Sequence, residues 1–236
     1  MCFVTYLPQQ EGFILTSNRD EHAGRPKAIP PKKYAANGQS VFYPKDGLAG
    51  GTWIAASETF TLCLLNGAFV SHVPHPPYRR SRGLVLLDFF KVGCVKCFVS
   101  GYDFSEIEPF TLIVVERKQG IMLHQLRWDE QQMHHDILDA NTAFAWSSVT
   151  LYDPATVQER AHWFTDWQKK HPRFLADDIT DFHLSGGKGD AHNDLIINRN
   201  NELLTVSVTQ IEQTKGHFLL HYQDRLNGQD YRYRIL

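Results

Sequence analysis

The chain has 236 residues, of which 42% are hydrophobic and 12% aromatic, enough to bury a large core in one domain. Its 24 lysines and arginines nearly balance its 26 aspartates and glutamates, which argues against nucleic acid or an anionic membrane surface as a partner. No apolar run approaches the roughly 18 residues that span a bilayer. We therefore expect a single cytoplasmic domain over residues 1–236, with no nucleic-acid partner and no stable membrane insertion.

Alternating apolar residues predict strands in the first third of the chain. Residues 3–6 and 13–16 flank a polar turn that ends in Gly12, which predicts an opening β-hairpin. The segment 26–38 is rich in proline, lysine and asparagine, which predicts a loop. Short strands are predicted at 40–43, 52–56 and 59–65.

Helical spacing begins further along the chain. Apolar residues at that spacing predict a helix over 82–92. Asp153 and Pro154 are typical of an N-cap and a first helical position, and the helix should end near Lys170, before His171-Pro172. Further strands are predicted at 110–116, 121–126, 203–211, 217–222 and 231–235. Strands, then helices, then strands again indicate an α+β layered fold.

The four cysteines do not make a disulfide framework in a chain of this length, which fits a reducing compartment. Cys94 and Cys97 have the C-x-x-C spacing of redox motifs and of half a zinc site. No second such pair and no nearby pair of histidines completes four ligands. We therefore interpret these two residues as ordinary semi-buried thiols, which behave as small hydrophobic groups.

Cys2 directly follows the initiator methionine. Because cysteine is small, we expect Met1 to be removed, which would leave Cys2 at the N-terminus. A terminal cysteine carries a thiol and an α-amino group whose ordinary pKa is about 7.7 to 8.0, so nucleophile and base occur in one residue. The alternative is that Cys2 is a small apolar residue on a strand beside Phe3.

Several short motifs occur together along the chain. The sequence opens with Met-Cys-Phe, and Asn18-Arg19-Asp20-Glu21 follows, with Arg25-Pro26 after it. Three more motifs are Gly50-Gly51-Thr52-Trp53, Leu65-Asn66-Gly67 and Thr205-Val206-Ser207-Val208-Thr209-Gln210. In this combination the chain resembles the NRDE proteins, also called the transport and Golgi organisation protein 2 family, from end to end.

That family is similar to a branch of the N-terminal nucleophile hydrolases, whose fold is a four-layer αββα sandwich. The choloylglycine hydrolase and penicillin V acylase group within it also begins with Met-Cys and cleaves acyclic amides. The resemblance implies that Cys2 is the catalytic nucleophile and that Asp20 orients its α-amine. It also implies that the Asn66 amide donates to the developing oxyanion.

The resemblance also suggests substrate-binding residues. They are Asn18, Arg19, Glu21, Trp53 and Ser148. Arg19 falls between the matched motif residues, where it could bind a ligand carboxylate or phosphate. A second oxyanion asparagine is expected where this chain has Ser147-Ser148, so Ser148 is a weaker substitute. The alternatives are a charged surface turn for the motif and a core aromatic for Trp53.

Two classes of function follow from the resemblance. The first is an N-terminal cysteine amidohydrolase that cleaves a non-peptide C–N bond in a small acyclic amide through a thioester on Cys2. The second is a non-catalytic carrier of haem, lipid or acyl-CoA on the same fold. No cofactor and no metal is expected, because the histidines lack the spacing of a zinc site. Gly186-Gly187-Lys188-Gly189 lacks the spacing of a phosphate-binding loop, so we expect a flexible loop there. No oligomeric state is indicated.

Overall fold

The computed structural model describes residues 3–235, which form fourteen strands and four helices. The strands are β1 (Phe3–Gln9), β2 (Gly12–His22), β3 (Ile29–Ala36), β4 (Gln39–Lys45), β5 (Ile54–Ala56), β6 (Phe60–Asn66), β7 (Phe110–Glu116), β8 (Met122–Trp128), β9 (Met133–Leu138), β10 (Phe144–Ser147), β11 (Asn198–Arg199), β12 (Leu203–Thr214), β13 (His217–Asp224) and β14 (Gln229–Arg234). The helices are α1 (Arg82–Val92), α2 (Val95–Gly101), α3 (Pro154–Lys170) and α4 (Ala176–Ser185). None of these four helices has the length and apolar character needed to cross a membrane.

The described residues divide into two compact units, each with its own seven-stranded sheet. The first unit comprises residues 3–25 and 141–234, and the second comprises 26–140 together with Ile235. The first sheet has the order β10-β1-β2-β12-β13-β14, with β11 paired to β12. The second has the order β3-β4-β5-β6-β7-β8-β9. Helices α3 and α4 belong to the first unit, and α1 and α2 belong to the second.

The first unit is built on the predicted hairpin. Strands β1 and β2 pair antiparallel up to the turn, where Gln9 lies opposite Gly12. A Cβ at Gly12 would lie 1.8 Å from the carbonyl oxygen of Gln213 in the neighbouring strand, so only glycine fits there. Apolar side chains of the sheet, such as Phe3, pack with Trp167 of α3 and Phe182 of α4 in one core cluster.

The second unit buries one face of its sheet under α1 and α2. The predicted helix over 82–92 matches α1, and its Phe89 packs edge-on against Phe60 of β6. Phe98 of α2 contacts Phe89 in turn, with ring centroids 5.1 Å apart. Each unit thus joins one sheet to one helical layer.

Several regions differ from the sequence-based expectation. The segment 26–38 is not a loop, because residues 29–36 form the strand β3. The strand lies at the sheet edge, where the missing N–H groups of Pro30 and Pro31 need no partner, and its register shifts between Ile29 and Lys32. The predicted elements also lack the short helices α2 and α4 and the strands β9, β10 and β11.

The interpretation of Cys94 and Cys97 as two ordinary thiols is wrong. The two residues form a disulfide, and Cys97 is exposed. The C-x-x-C spacing allows this bond because one helical turn brings the two Cα atoms within 5.2 Å. Cys63 is buried in β6. Cys2 lies outside the described residues.

Candidate functional site

The Asn-Arg-Asp-Glu motif lies on β2, which is flanked by β1 and β12 in the first sheet. Asn18, Arg19 and Asp20 are 0%, 5% and 5% exposed. Since side chains alternate along a strand, Asn18 and Asp20 face one side of the sheet, and Arg19 and Glu21 face the other. The motif is therefore a buried strand segment, and the alternative of a charged surface turn is excluded.

Hydroxyl groups hold both carboxylate oxygens of Asp20. The Tyr152 hydroxyl donates to Oδ2 at 2.5 Å, and the Thr205 hydroxyl donates to Oδ1 at 2.6 Å. Thr205 lies directly opposite Asp20 on β12, and its oxygen also accepts the backbone N–H of Ile197 at 2.8 Å. The two hydroxyl donors thus fix the orientation of the carboxylate.

Tyr152 is itself held by two arginines. The guanidinium carbon of Arg160 lies 3.6 Å from the ring centroid, and that of Arg199 lies 5.1 Å from it. The buried Arg160 also donates to the carbonyl oxygens of Asn193 at 3.0 Å and Asp194 at 2.5 Å. Cation–π contacts and two backbone hydrogen bonds thus fix the ring that donates to the motif.

The glycine-rich segment closes around the side chain of Asp194. The carboxylate accepts the backbone N–H groups of Lys188 at 2.9 Å and Gly189 at 2.8 Å. A Cβ at Gly187, where φ is 147°, would lie 2.1 Å from the carboxyl carbon of Asp194. The predicted loop over 186–189 directly follows the end of α4 and belongs to no helix or strand. Its backbone binds a carboxylate of the chain itself.

Asn18 belongs to a buried polar network. Its Nδ2 donates to the carbonyl oxygens of His183 at 3.0 Å and Leu195 at 2.6 Å. The amide oxygen must therefore accept from His183 Nδ1 at 2.6 Å, which leaves Nε2 to accept the Thr5 hydroxyl at 2.7 Å. Burial lowers the pKa of His183 to about 3, so the ring is neutral. Asn18 thus has a scaffold role, although the sequence suggested a substrate contact.

The other face of the motif carries an ion pair. The Nη2 atom of Arg19 lies 3.2 Å from Oε2 of Glu21. The register of β12 shifts between Thr205 and Ser207, so that Ser207 instead of Val206 lies opposite Arg19. This β-bulge therefore replaces an apolar neighbour of the guanidinium with a hydroxyl.

The start of β1 lies beside the part of β2 that carries Asp20. Phe3 is paired with Asn18 of β2 on one side and with Ser147 of β10 on the other. Both neighbouring strands run antiparallel to β1, so Asp20 and Ser148 follow just beyond that point. Ser148 is 1% exposed, and its hydroxyl lies 3.0 Å from that of Thr150.

The two remaining predicted site residues belong to the second unit. Asn66 ends β6, opposite Phe110, and Gly67 follows in the left-handed region at φ 82°. The Gly67 carbonyl accepts the Thr111 hydroxyl at 2.9 Å, which fixes the turn after the asparagine. Trp53 is buried just before β5, and its carbonyl accepts the N–H of Leu64 at 2.8 Å.

Comparison with known proteins identifies the family. The model of the family described as Transport and Golgi organisation 2 matches residues 1–218. The chain belongs to that family. A search of curated proteins finds no match.

Comparison with solved structures establishes the fold. Thirty-four solved chains match this structure. One is penicillin V acylase from Agrobacterium tumefaciens, with a TM-score of 0.61 and 8% sequence identity over 100% of this chain and 86% of the acylase. The acylase is an N-terminal nucleophile hydrolase, so the predicted α+β fold of that type is confirmed for this member of the Transport and Golgi organisation 2 family.

Sequence reasoning missed the residues that support Asp20 and Asn18 in this member of the family. Thr205 was noted only as part of a strand motif, and Tyr152 stands directly before the predicted N-cap of α3. Nothing in the sequence around His183 or Arg160 signals a partner. Within residues 3–235, no three metal-ligating side chains come together to hold an ion.

Proposed function

We propose that this protein is a cysteine amidohydrolase of the N-terminal nucleophile type, acting in the cytoplasm as a single domain over residues 1–236. The observation that carries the proposal is the buried carboxylate of Asp20, which Tyr152 and Thr205 hold at the end of the sheet where β1 begins. A fixed carboxylate there can accept an N–H from the α-amine of a chain that starts at Cys2.

The reaction needs a nucleophile, a base and an oxyanion donor. The Cys2 sulfur attacks the carbonyl carbon of a small acyclic amide while the α-amine takes the thiol proton. The Asn66 amide donates to the oxyanion. The C–N bond then breaks, the leaving amine takes the proton, and an acyl thioester remains on Cys2. Water hydrolyses the thioester, which releases the acyl group as a carboxylic acid and restores the thiol. Asp20 orients the α-amine and does not itself react, and the reaction needs no cofactor.

Substrate contacts are proposed for Arg19, Glu21, Trp53 and Ser148. A guanidinium such as that of Arg19 suits a carboxylate or phosphate on the substrate. Asn18 is not proposed for this role, because its amide nitrogen and oxygen are all hydrogen-bonded to His183 and Leu195.

The proposal is tested by the intact mass of the protein before and after incubation with a panel of acyl amides and thioesters. We expect the mass of a chain that begins at Cys2, and an acyl adduct that maps to Cys2. The Cys2→Ala variant should form no adduct and turn over no amide. The Cys63→Ala variant, which removes the buried thiol, should still form the adduct and turn over the amide. A retained Met1, or a free Cys2 that stays unmodified, would overturn the proposal.

The role of Asp20 is tested separately. In Asp20→Asn, the side-chain amide still places an oxygen and a nitrogen atom near Tyr152 and Thr205. It lacks the negative charge that would hold the protonated α-amine of Cys2. We expect adduct formation to slow about 100-fold, as when a reacting group is misplaced by about 1 Å. The matched control is Asp177→Asn on α4, which is exposed and should react at the wild-type rate.

The carrier role that the family resemblance also implies predicts different results. A carrier of haem, lipid or acyl-CoA would show no adduct, and Cys2→Ala would keep its affinity for haemin, a fatty acid or an acyl-CoA. Titration of the wild type and of Cys2→Ala with these three probes therefore separates the two classes. An acyl adduct on Cys2 together with turnover contradicts the carrier.

A further inference from the structure

The second unit contains a pair of cysteines that the proposed amide hydrolysis does not use. Cys94 and Cys97 are joined as a disulfide, with their Cα atoms 5.2 Å apart. Cys97 is exposed and Cys94 is half-buried, so an external thiol can approach the Cys97 sulfur more readily. The remaining cysteine of this unit, Cys63, is buried in β6. The pair is therefore open to exchange chemistry from solvent.

The backbone on both sides of the pair is fixed by contacts that do not involve sulfur. Gly93 ends α1 in the left-handed region at φ 67°, and its N–H bonds to the Phe89 carbonyl at 2.8 Å. Phe98, next to Cys97, is fully buried and contacts Phe89 and Phe104 with ring centroids 5.1 and 5.3 Å away. The two cysteines should therefore stay close together when the S–S bond is open, which favours its reversible closure.

The environment also distinguishes the two sulfur atoms. The backbone N–H of Cys97 donates to Cys94 Sγ at 3.1 Å. A hydrogen-bond donor at this sulfur favours a thiolate on Cys94, so Cys94 is the better leaving group.

We propose that Cys94 and Cys97 form a thiol–disulfide exchange site for low-molecular-weight thiols and disulfides of the glutathione class. A thiolate of the small molecule attacks Cys97 Sγ, a mixed disulfide forms there, and Cys94 leaves as a thiolate. A second small thiolate attacks the sulfur of the first, which releases the small disulfide and leaves a thiolate on Cys97. Two electrons pass from two small thiols to the protein disulfide, and the reverse steps oxidise the pair.

The first experiment uses the Cys2→Ala protein, so that no terminal thiol contributes. The protein is equilibrated in buffers that range from fully reduced to fully oxidised glutathione, acid-quenched, alkylated and mapped by mass spectrometry. We expect Cys94 and Cys97 to gain and lose the alkyl label together, with half-oxidation inside this range. Circular dichroism should show the same fold in fully reduced and in fully oxidised glutathione.

Two results of this titration would overturn the proposal. A pair that stays oxidised in reduced glutathione is an inert structural disulfide. A pair that stays reduced in oxidised glutathione consists of ordinary thiols. The titration needs no variant at the pair itself, and because Cys2 is absent, its outcome does not depend on the proposed amidohydrolase.

Single variants test the assigned order of attack. In Cys94→Ser, the exposed Cys97 should form a lasting mixed disulfide with oxidised glutathione, since no resolving thiol remains. In the matched Cys97→Ser variant, the half-buried Cys94 should form its adduct at least about tenfold more slowly. Equal rates, or a faster reaction at Cys94, would contradict the assignment of Cys97 as the attacked sulfur.

Discussion

The hydroxyl of Tyr152 donates a 2.5 Å hydrogen bond to Oδ2 of Asp20, although 132 positions separate the two residues in the chain. This bond ties the segment before α3 to the centre of the first sheet. Thr205 holds the other carboxylate oxygen from β12. The motif aspartate therefore depends for its orientation on two residues that lie far from it in sequence, and each can be removed with little change of shape.

Replacing Tyr152 with phenylalanine tests this dependence. Tyr152→Phe removes one donor to a buried carboxylate, so we expect the free energy of unfolding to fall by about 2 kcal/mol. Urea denaturation followed by circular dichroism measures the change. The matched control is Tyr231→Phe on β14, whose hydroxyl bonds to Gln229 at the exposed surface, and it should stay within about 0.5 kcal/mol of wild type. An equal fall in the free energy of unfolding for the two variants would show that the hydrogen bond to Asp20 stabilises the fold no more than a surface hydrogen bond does.

The neutral His183 predicts a dependence of stability on pH. Burial lowers its pKa to about 3 in the folded protein, whereas an unfolded histidine titrates near 6.5. Between these values the unfolded state binds one more proton, so the free energy of unfolding falls as the pH decreases. This contribution is constant above about pH 6.5 and is lost progressively down to about pH 3.

The variant His183→Gln lacks this titration. It should be less stable than wild type at neutral pH, because the bonds to Asn18 and Thr5 are disturbed. The gap between wild type and variant should narrow by about 2 kcal/mol between pH 7 and pH 5, because only the wild type loses stability through this group. Urea denaturation at several pH values measures the gap. Parallel curves for the two proteins would contradict a neutral buried ring.

Gly187 is predicted to be the most sensitive glycine of its loop. A methyl group there would meet the carboxyl carbon of Asp194 and push the carboxylate away from the N–H groups of Lys188 and Gly189. We expect Gly187→Ala to cost about 3 kcal/mol or more in unfolding free energy. In Gly189→Ala, where φ is 91° but the space is open, only backbone strain of about 1 kcal/mol applies. Thermal denaturation compares the two, and a cost at Gly189 as large as that at Gly187 would argue against the role of Asp194.

Elements whose formation depends on local residue patterns could be predicted from the sequence. The opening hairpin, α1 and the Asp153 cap of α3 follow from alternation, helical spacing and capping, and the structure contains all three. The strand β3 was missed because Pro30 and Pro31 suggest a loop, and only its place at the sheet edge makes them acceptable.

The site was harder to predict because its contacts are tertiary. The resemblance drew attention to Asn18, but its partner His183 lies 165 positions away on a helix that the sequence did not predict. Likewise, the motif gives no sign that Tyr152 would meet Asp20. The sequence therefore indicated which residues matter at the motif. The three-dimensional contacts were needed to tell the residues that support the structure from those that are candidates for catalysis or binding.

Asn66 and Ser148 are the two candidate donors to the oxyanion, and we expect them to contribute unequally. The Ser148 hydroxyl lies 3.0 Å from that of Thr150, and Asn66 stands at the end of β6 before the turn at Gly67, the place where the family resemblance puts the oxyanion donor. Asn66→Ala should lower the rate of acyl-adduct formation on Cys2 about 100- to 1000-fold, as loss of an oxyanion donor does. Ser148→Ala should lower it less than about tenfold, because the hydroxyl is held by another partner.

Single-turnover mass spectrometry at saturating acyl donor measures both rates in the same assay. Circular dichroism confirms that each variant is folded, so that a loss of rate reports on chemistry. If Ser148→Ala were the slower variant, the serine would be the main donor in this chain, and the asparagine before Gly67 would be part of the turn alone. Because acyl transfer through a thioester requires charge stabilisation at the carbonyl oxygen, unchanged rates in both variants would mean that neither residue faces the reacting carbonyl.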